Sequence, residues 1–262
     1  MSTSAPPARD AGLLTLARRL TVDGLSLGGL AARGRSIVAH DVVRVHEQVR
    51  LLAAFCRRVC ERHGVELTVR GRPPRRPSVI VANHLGYLDA ISICAVQGCI
   101  PVAKREVSGW PLIGAAGDAT GVMFVERGNA NSGARVLRRV LRALRNGVSV
   151  LNFPEGTTTD GAGVLAFRRG VFGAARIAEV PVAPVCVAFE DPSLCWIGDD
   201  EFMPHYVDFS RRRRSRVHVT FLEPLSPGRF ADVESLTSAA RERIACELGG
   251  DAGAPTLEAG AA

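Results

Sequence analysis

The sequence predicts an α/β fold: a mixed, largely parallel central sheet flanked by helices and preceded by N-terminal amphipathic helices. Three observations carry this. Short β-branched apolar runs alternate with longer helical patterns from residue 65 to residue 248. A chain of 262 residues with 47% hydrophobic content suffices for one α/β core and gives no sign of a second. Glycine-containing, charge-bearing segments follow several of the apolar runs, at the strand ends where open α/β sheets place their ligands. The expected organisation is a disordered N-terminus over 1–12, an amphipathic helical region over 13–64, a globular domain over 65–248 and a Gly/Ala-rich disordered tail over 249–262.

Leu13, Leu16, Ala17 and Leu20 recur at helical spacing beside Arg18 and Arg19, so this first helix is expected to touch a bilayer interface. A second stripe runs through Val38, Val42, Val45, Val49, Leu52 and Phe55 or Cys56, and its valine-rich face is expected to pack on the protein's own core. Strands are predicted over Glu66–Val69, Ser78–Ala82, Ile100–Ala103, Val122–Val125, Val148–Phe153, Val182–Ala188 and Val217–Leu222. Helices are predicted over Ala90–Gln97, Ala134–Arg145, Val171–Ile177 and Val233–Leu248. The second of these has Ser132 as its expected cap, Val136, Leu137, Val140, Leu141 and Leu144 as its apolar face, and Gly147 as its stop. Its Arg135, Arg138, Arg142 and Arg145 form a stripe whose simplest reading is a solvated face. Val180-Pro181-Val182-Ala183-Pro184-Val185 suits an edge or bulged strand beside a pocket, or plain core.

His84 and Asp89 stand five positions apart after the run Ser78–Val81. On one straight helix they would diverge by roughly 140°. A strand–loop–helix junction lets the chain fold back so that the carboxylate reaches the imidazole, and a His oriented by an Asp is a general base for a hydroxyl. With six His and twelve Asp, such spacing arises by chance about 0.3 times in this chain, so the pair alone also fits a buried His beside a capping Asp. Phe153-Pro154-Glu155-Gly156-Thr157 is far more specific. Pro154 ends the strand ladder, Gly156 lets backbone approach a ligand, and Glu155 is presented in the loop. The plain alternative is a turn with a solvated Glu. Gly121–Arg127 is a short strand ending in Glu126-Arg127, where Arg127 offers a planar fork for phosphate or carboxylate, or a surface ion pair.

Taken in this order and spacing, these blocks resemble the 1-acylglycerol-3-phosphate (lysophosphatidic acid) acyltransferases of the glycerolipid acyltransferase superfamily. The resemblance covers residues 65 to 225. His84 and Asp89 match the family's His-x4-Asp block, Gly121–Arg127 its second block, Phe153–Gly156 its third and Val180–Val185 its fourth. Lys104-Arg105-Glu106, Pro111–Gly114 and Phe167–Gly170 resemble further family segments. Glu126 stands where many members carry Asp, a change that preserves charge.

The resemblance implies a glycerol-3-phosphate acyltransferase-like fold over 65–248 and acyl transfer without a covalent enzyme intermediate. His84 would take the proton of an acceptor hydroxyl attacking the thioester of acyl-CoA or acyl carrier protein, and Asp89 would hold the imidazole. Arg127 would grip the acceptor's phosphate, with Arg168 as a second ligand. Glu155 would contact glycerol hydroxyls or order Arg127, with Gly156 and Thr157 beside it. Backbone amides or Lys104 would donate to the oxyanion. The implied reaction is acylation of lysophosphatidic acid in phospholipid biosynthesis. Lyso-ornithine lipid or glycerol 3-phosphate are alternative acceptors, and a catalytically inert membrane-associated binding protein is the alternative of another class. No cofactor and no metal are expected; the His84 block lacks a third ligand, so a metalloesterase is a poor competitor.

The formal net charge of +7 is almost all arginine, Lys104 being the sole lysine. The densest cluster, Arg211-Arg212-Arg213-Arg214-Ser215-Arg216, reads as a solvated loop or, given the lipid chemistry, as a contact for anionic headgroups. No aromatic interleaving accompanies it, so nucleic acid is not an expected partner. Seven cysteines without zinc spacing point to small buried thiols and a reducing compartment. The N-terminal stretches lack the roughly 20 uncharged residues of a span. The expectation is a cytoplasmic protein, peripheral on the inner face of the cell membrane, with no transmembrane segment.

Overall fold

The structure, a computed structural model, describes residues 11–37 and 41–250. Within them, strands β1 (Val65–Gly71), β2 (Val79–Ala82), β3 (Ile100–Lys104), β4 (Met123–Val125), β5 (Val150–Asn152), β6 (Val182–Phe189) and β7 (Ser215–Phe221) form one sheet. Helices are α1 (Gly12–Arg35), α2 (Asp41–His63), α3 (Tyr87–Val96), α4 (Ile113–Ala119), α5 (Ala130–Arg145), α6 (Gly170–Ala178), α7 (Phe202–Arg211) and α8 (Val233–Gly250). The strand order is β1-β7-β6-β2-β5-β3-β4, and every ladder is parallel except β6–β7. The expected mixed, largely parallel sheet is therefore present.

The apolar run Val79–Ala82 becomes the central strand because both of its faces must be covered. All four residues are fully buried, and each such Val or Ile side chain contributes about 1.5–3 kcal/mol. Ile80 and Ala82 face a layer built from α2, α3 and α7, through Leu52, Cys56, Leu88, Ile93 and Phe209. Val79 and Val81 face α5, α6 and α8, through Val140, Leu144, Phe172 and Leu236. The α1 helix lies outside the first layer, packed on α2, α4 and α7. Parallel pairing of β6, β2, β5, β3 and β4 brings the loops after β2, β3, β4 and β5 to one edge.

Several expectations are corrected. Two short helices, α4 and α7, were not anticipated: α4 is a Gly/Ala-rich seven-residue piece, and α7 carries Pro204 in its first turn, where a missing N–H costs nothing. Asn129, not Ser132, caps α5; its side chain accepts from Ser132 N at 3.0 Å. The Pro-containing run forms β6, an interior strand between β2 and β7. Pro184 is accommodated because its carbonyl accepts from Leu222 N at the end of the β6–β7 ladder, so no internal donor is missing.

The second helical stripe packs on the core as expected, with Leu52, Cys56 and Cys60 buried, while Val38 lies outside the described residues. In α1, Leu16 is buried but Leu13, Leu14 and Leu25 are strongly exposed. The termini expected to be disordered fall mostly on residues 1–10 and 251–262, outside those described. Ala11 N donates to Arg211 O, Gly12 opens α1, and Gly249 and Gly250 complete α8. The arginine run spans the end of α7, a short bend and the start of β7, with most of its side chains exposed yet ion-paired. Arg212 pairs with Asp191, Arg214 with Glu66, and Arg216 with Glu66 and Glu190. Its charge is largely spent within the protein. No described helix is long and apolar enough to cross a membrane.

Candidate active site

Asn83 and His84 follow β2 directly, and Asn83 fixes where that strand ends. Its carboxamide is fully buried, donating to Val187 O and accepting from Val187 N, both at 2.8 Å. Satisfying both backbone groups of one β6 residue with one side chain clamps the exit of β2 to its neighbour. Nothing in the local pattern marks Asn83, because its partner is 104 residues away.

The chain then turns through Leu85 and Gly86 into α3. Asp89, at the third helical position, gathers the turn around itself: Oδ2 accepts from Leu85 N at 2.7 Å and Gly86 N at 3.1 Å, and Oδ1 from Ala90 N at 2.6 Å. His84 Nδ1 donates to the same Oδ2 at 2.9 Å. The carboxylate needs a donor, so the neutral ring carries its proton on Nδ1 and presents Nε2 as a lone pair. Asp89 is fully buried, whereas the His84 side chain keeps 16% exposure, enough to meet a substrate. Phe153 stacks on the imidazole, with ring centroids 4.1 Å apart and planes 15° from parallel. The expected fold-back of Asp89 onto His84 is thus observed.

Glu155 corrects its expected role as a substrate ligand. Both carboxylate oxygens are engaged by backbone, Oε1 accepting from His84 N and Oε2 from Leu165 N, each at 2.9 Å. Burial raises its pKa while those two amides pull it down. The residue is a brace between the His84 loop and the 157–169 segment. Thr159 N adds a 2.7 Å bond to His84 O, so the threonine that holds this loop is Thr159 rather than the exposed Thr157.

Gly156 has φ +75°, and a Cβ there would sit 2.8 Å from Arg168 Nε, so only glycine fits without displacement. The Arg168 guanidinium therefore lies against the Phe153–Gly156 turn, and Arg168 N donates to Pro154 O at 2.9 Å. Arg127 follows β4. Burial lowers its pKa first, the nearby Arg168 charge next, and Glu106 works the other way. Among the described residues neither Arg127 nor Arg168 has an ion-pair partner, leaving two guanidiniums converging on one edge. Lys104 ends β3 and pairs with Glu106 at 3.1 Å in water. That exposed pairing occupies the Lys104 ammonium with a counter-ion of the protein's own.

An aromatic wall lies on the other flank. Trp196 N donates to Leu85 O at 2.8 Å, and a Cβ on Gly86 would meet Trp196 Cβ at 3.2 Å. Trp110 stacks on Phe202 at 4.4 Å, and Tyr87 donates to or accepts from His205 Nδ1 at 2.9 Å. Trp110, Trp196 and Phe202 were single aromatics in the sequence, with no periodicity to unite them. Among the described residues no cluster of three or more His, Cys, Asp or Glu has metal-binding geometry.

A partly exposed imidazole, a buried carboxylate paired with it and two arginines without an ion-pair partner can activate a hydroxyl on an anionic molecule. Comparison with known proteins agrees. The acyltransferase family model matches residues 64–188. The lyso-ornithine lipid O-acyltransferase of Pseudomonas aeruginosa is 32% identical over 238 residues, covering 89% of this chain and 90% of the relative. The 1-acyl-sn-glycerol-3-phosphate acyltransferase alpha of Homo sapiens is 30% identical, covering 65% and 59%. The crystal structure of the 1-acyl-sn-glycerophosphate acyltransferase from Thermotoga maritima shares the fold, with a TM-score of 0.72 at 21% identity over 93% of this chain and 97% of that one. The chain belongs to the glycerolipid acyltransferase family.

Proposed function

We propose that this acyltransferase moves a fatty acyl group from a thioester donor, acyl-CoA or acyl carrier protein, to the free hydroxyl of a lyso-lipid. His84 Nε2 accepts the hydroxyl proton as the oxygen attacks the thioester carbonyl. The tetrahedral adduct collapses, the C–S bond breaks, and His84 returns the proton to the departing thiolate. Asp89 holds the tautomer and steadies the imidazolium. The observation that carries this reading is the 2.9 Å His84–Asp89 contact on the edge that also presents Arg127 and Arg168.

For the acceptor, lyso-ornithine lipid is favoured by the relative that matches nearly end to end. Its headgroup carries one carboxylate and one ammonium, which suit the arginines and Glu106 respectively. Lysophosphatidic acid is the second reading, supported by the pair of guanidiniums, which suit a dianion. The protein would work at a membrane surface from the cytoplasmic side, with Leu13, Leu14 and Leu25 of α1 turned to the bilayer.

An acceptor screen tests this: labelled acyl donor with lyso-ornithine lipid, lysophosphatidic acid and glycerol 3-phosphate, reading which becomes acylated. Acylation of lyso-ornithine lipid alone supports the first reading, and of lysophosphatidic acid alone the second. Acylation of none of them removes the proposal. Flotation with anionic vesicles at low and high salt tests the membrane contact, and no flotation at either removes it.

A further inference from the structure

The α5 helix has a charge pattern that its own stability does not explain. Its sixteen residues contain no Asp or Glu. Arg135, Arg138, Arg142 and Arg145 share one exposed face, and none of them has an ion pair or hydrogen-bond partner among the described residues. Arg139 is exposed beside them and reaches only Val122 O, at 3.4 Å. Arginines three and four apart repel, costing a few tenths of a kcal/mol per pair in an isolated helix.

Other arginines in the same layer are used differently. Arg169 pairs with Glu234, Arg176 donates to Phe230 O and Ala231 O, and Arg241 donates to Val164 O and Leu165 O. Those side chains hold the fold together. The α5 set does not.

Position separates this stripe from the bilayer. The exposed leucines of α1 lie outside the α2, α3 and α7 layer, whereas α5 packs with α6 and α8 against the opposite face of the sheet. A membrane beneath α1 leaves α5 in the aqueous phase. The stripe is also convex and about 15 Å long over the ten helical steps from Arg135 to Arg145. Small anions seek concave sites, and a long convex cationic face suits an acidic protein surface. One end of it reaches the site, since the cap Asn129 stands two residues beyond Arg127.

We propose that the arginine face of α5 docks a small acidic carrier protein that presents the acyl thioester to His84. This rests on the acyl-transfer reading above and names the donor's class. The test combines Arg135→Glu, Arg138→Glu, Arg142→Glu and Arg145→Glu in the full chain, with the four Gln substitutions as a milder set and circular dichroism melting as a fold control. Binding of labelled holo acyl carrier protein is followed by anisotropy on the His84→Ala background, so no turnover is needed. Turnover is then measured with acyl carrier protein and acyl-CoA as donors on the native background.

The expected result is binding that weakens with salt and falls at least about tenfold on charge reversal, with acyl-CoA kinetics within about twofold. Absent or unchanged carrier binding, or equal loss with both donors, overturns the inference. So does lost vesicle flotation with carrier binding intact, which would assign the face to lipid. Good acyl-CoA turnover without carrier binding sinks this inference alone. Reversal-sensitive carrier binding in a chain that acylates no lyso-lipid supports the docking and sinks the acceptor assignment alone.

Discussion

Among the described residues two histidine–aspartate pairs are in contact, and they do opposite things. His84 and Asp89 are five residues apart and 2.9 Å in contact; His63 and Asp23 are 40 residues apart and 2.7 Å in contact. Asp89 spends its remaining capacity on the backbone amides of Leu85, Gly86 and Ala90. Asp23 spends its own on side chains, the Arg62 guanidinium and the Tyr206 hydroxyl. His84 keeps 16% exposure, whereas His63 has none and stacks on Phe209 at 4.9 Å. Burial, then Arg19 and Arg62, pushes the His63 pKa down to about 3, outweighing the carboxylate that alone would favour the imidazolium. Identical residue types thus leave one imidazole partly exposed at the edge of the sheet, and make of the other a rivet between α1, α2 and α7.

The sharpest way to break this comparison is His84→Ala. It is expected to lower kcat by about 10²–10⁴ with a stability change of about 1 kcal/mol or less, read by acyl-transfer assay and urea titration. Near-normal turnover would remove His84 from the chemistry. Asp23→Ala should do the reverse, costing about 3–5 kcal/mol by leaving Arg62 buried without its carboxylate, while turnover per folded molecule stays close to normal. If its turnover instead collapsed at full stability, the rivet reading would be wrong.

His63 also makes a pH prediction. Its folded pKa of about 3 lies below the ordinary 6.5. Above pH 6.5 both states are neutral and the full stability is present; from there down to about 3 the unfolded chain binds a proton that the folded chain refuses. Stability should therefore fall with acidification by up to about 1.4 kcal/mol per pH unit. His63→Gln should flatten that slope between pH 6.5 and 4 in denaturant titrations, and an unchanged slope would clear His63 of responsibility. The smallest expected effect is Tyr206→Phe, which removes one charge-assisted bond to Asp23 at a cost of about 1.5 kcal/mol in the same titration. A larger loss than that of Asp23→Ala would show that the hydroxyl, not the carboxylate, centres the network.

The contrast also explains what could be read from the sequence. His84–Asp89 was legible because both partners sit in one short segment and its neighbours follow strand-like runs. The sheet was legible for the same reason: Val79–Ala82 and Val182–Phe189 announce themselves by composition. Asp23, His63 and Tyr206 were not, because the Tyr206–Asp23 partners lie 183 residues apart and no local period links them. Glu155 was placed in the right loop but assigned the wrong contacts, since its acceptors serve backbone amides, which carry no residue signature. The arginine run at 211–216 misled for a related reason: its counter-ions Glu66, Glu190 and Asp191 come from distant segments.

Glu155 has a practical consequence for redesign. With Thr159 N tied to His84 O, Asp160 O to Cys195, Gly161 packed on Leu85, Leu165 N tied to Glu155, and Arg241 clasping the carbonyls of Val164 and Leu165, the exposed pair Ala162–Gly163 lies between two fixed posts. Insertions or replacements there alter the rim while the posts hold the imidazole in register. The same edit made at 153–157 would pull directly on the base. Loop grafting aimed at new acceptors therefore has its window at the exposed Ala162 and Gly163, bounded by contacts rather than by sequence motifs.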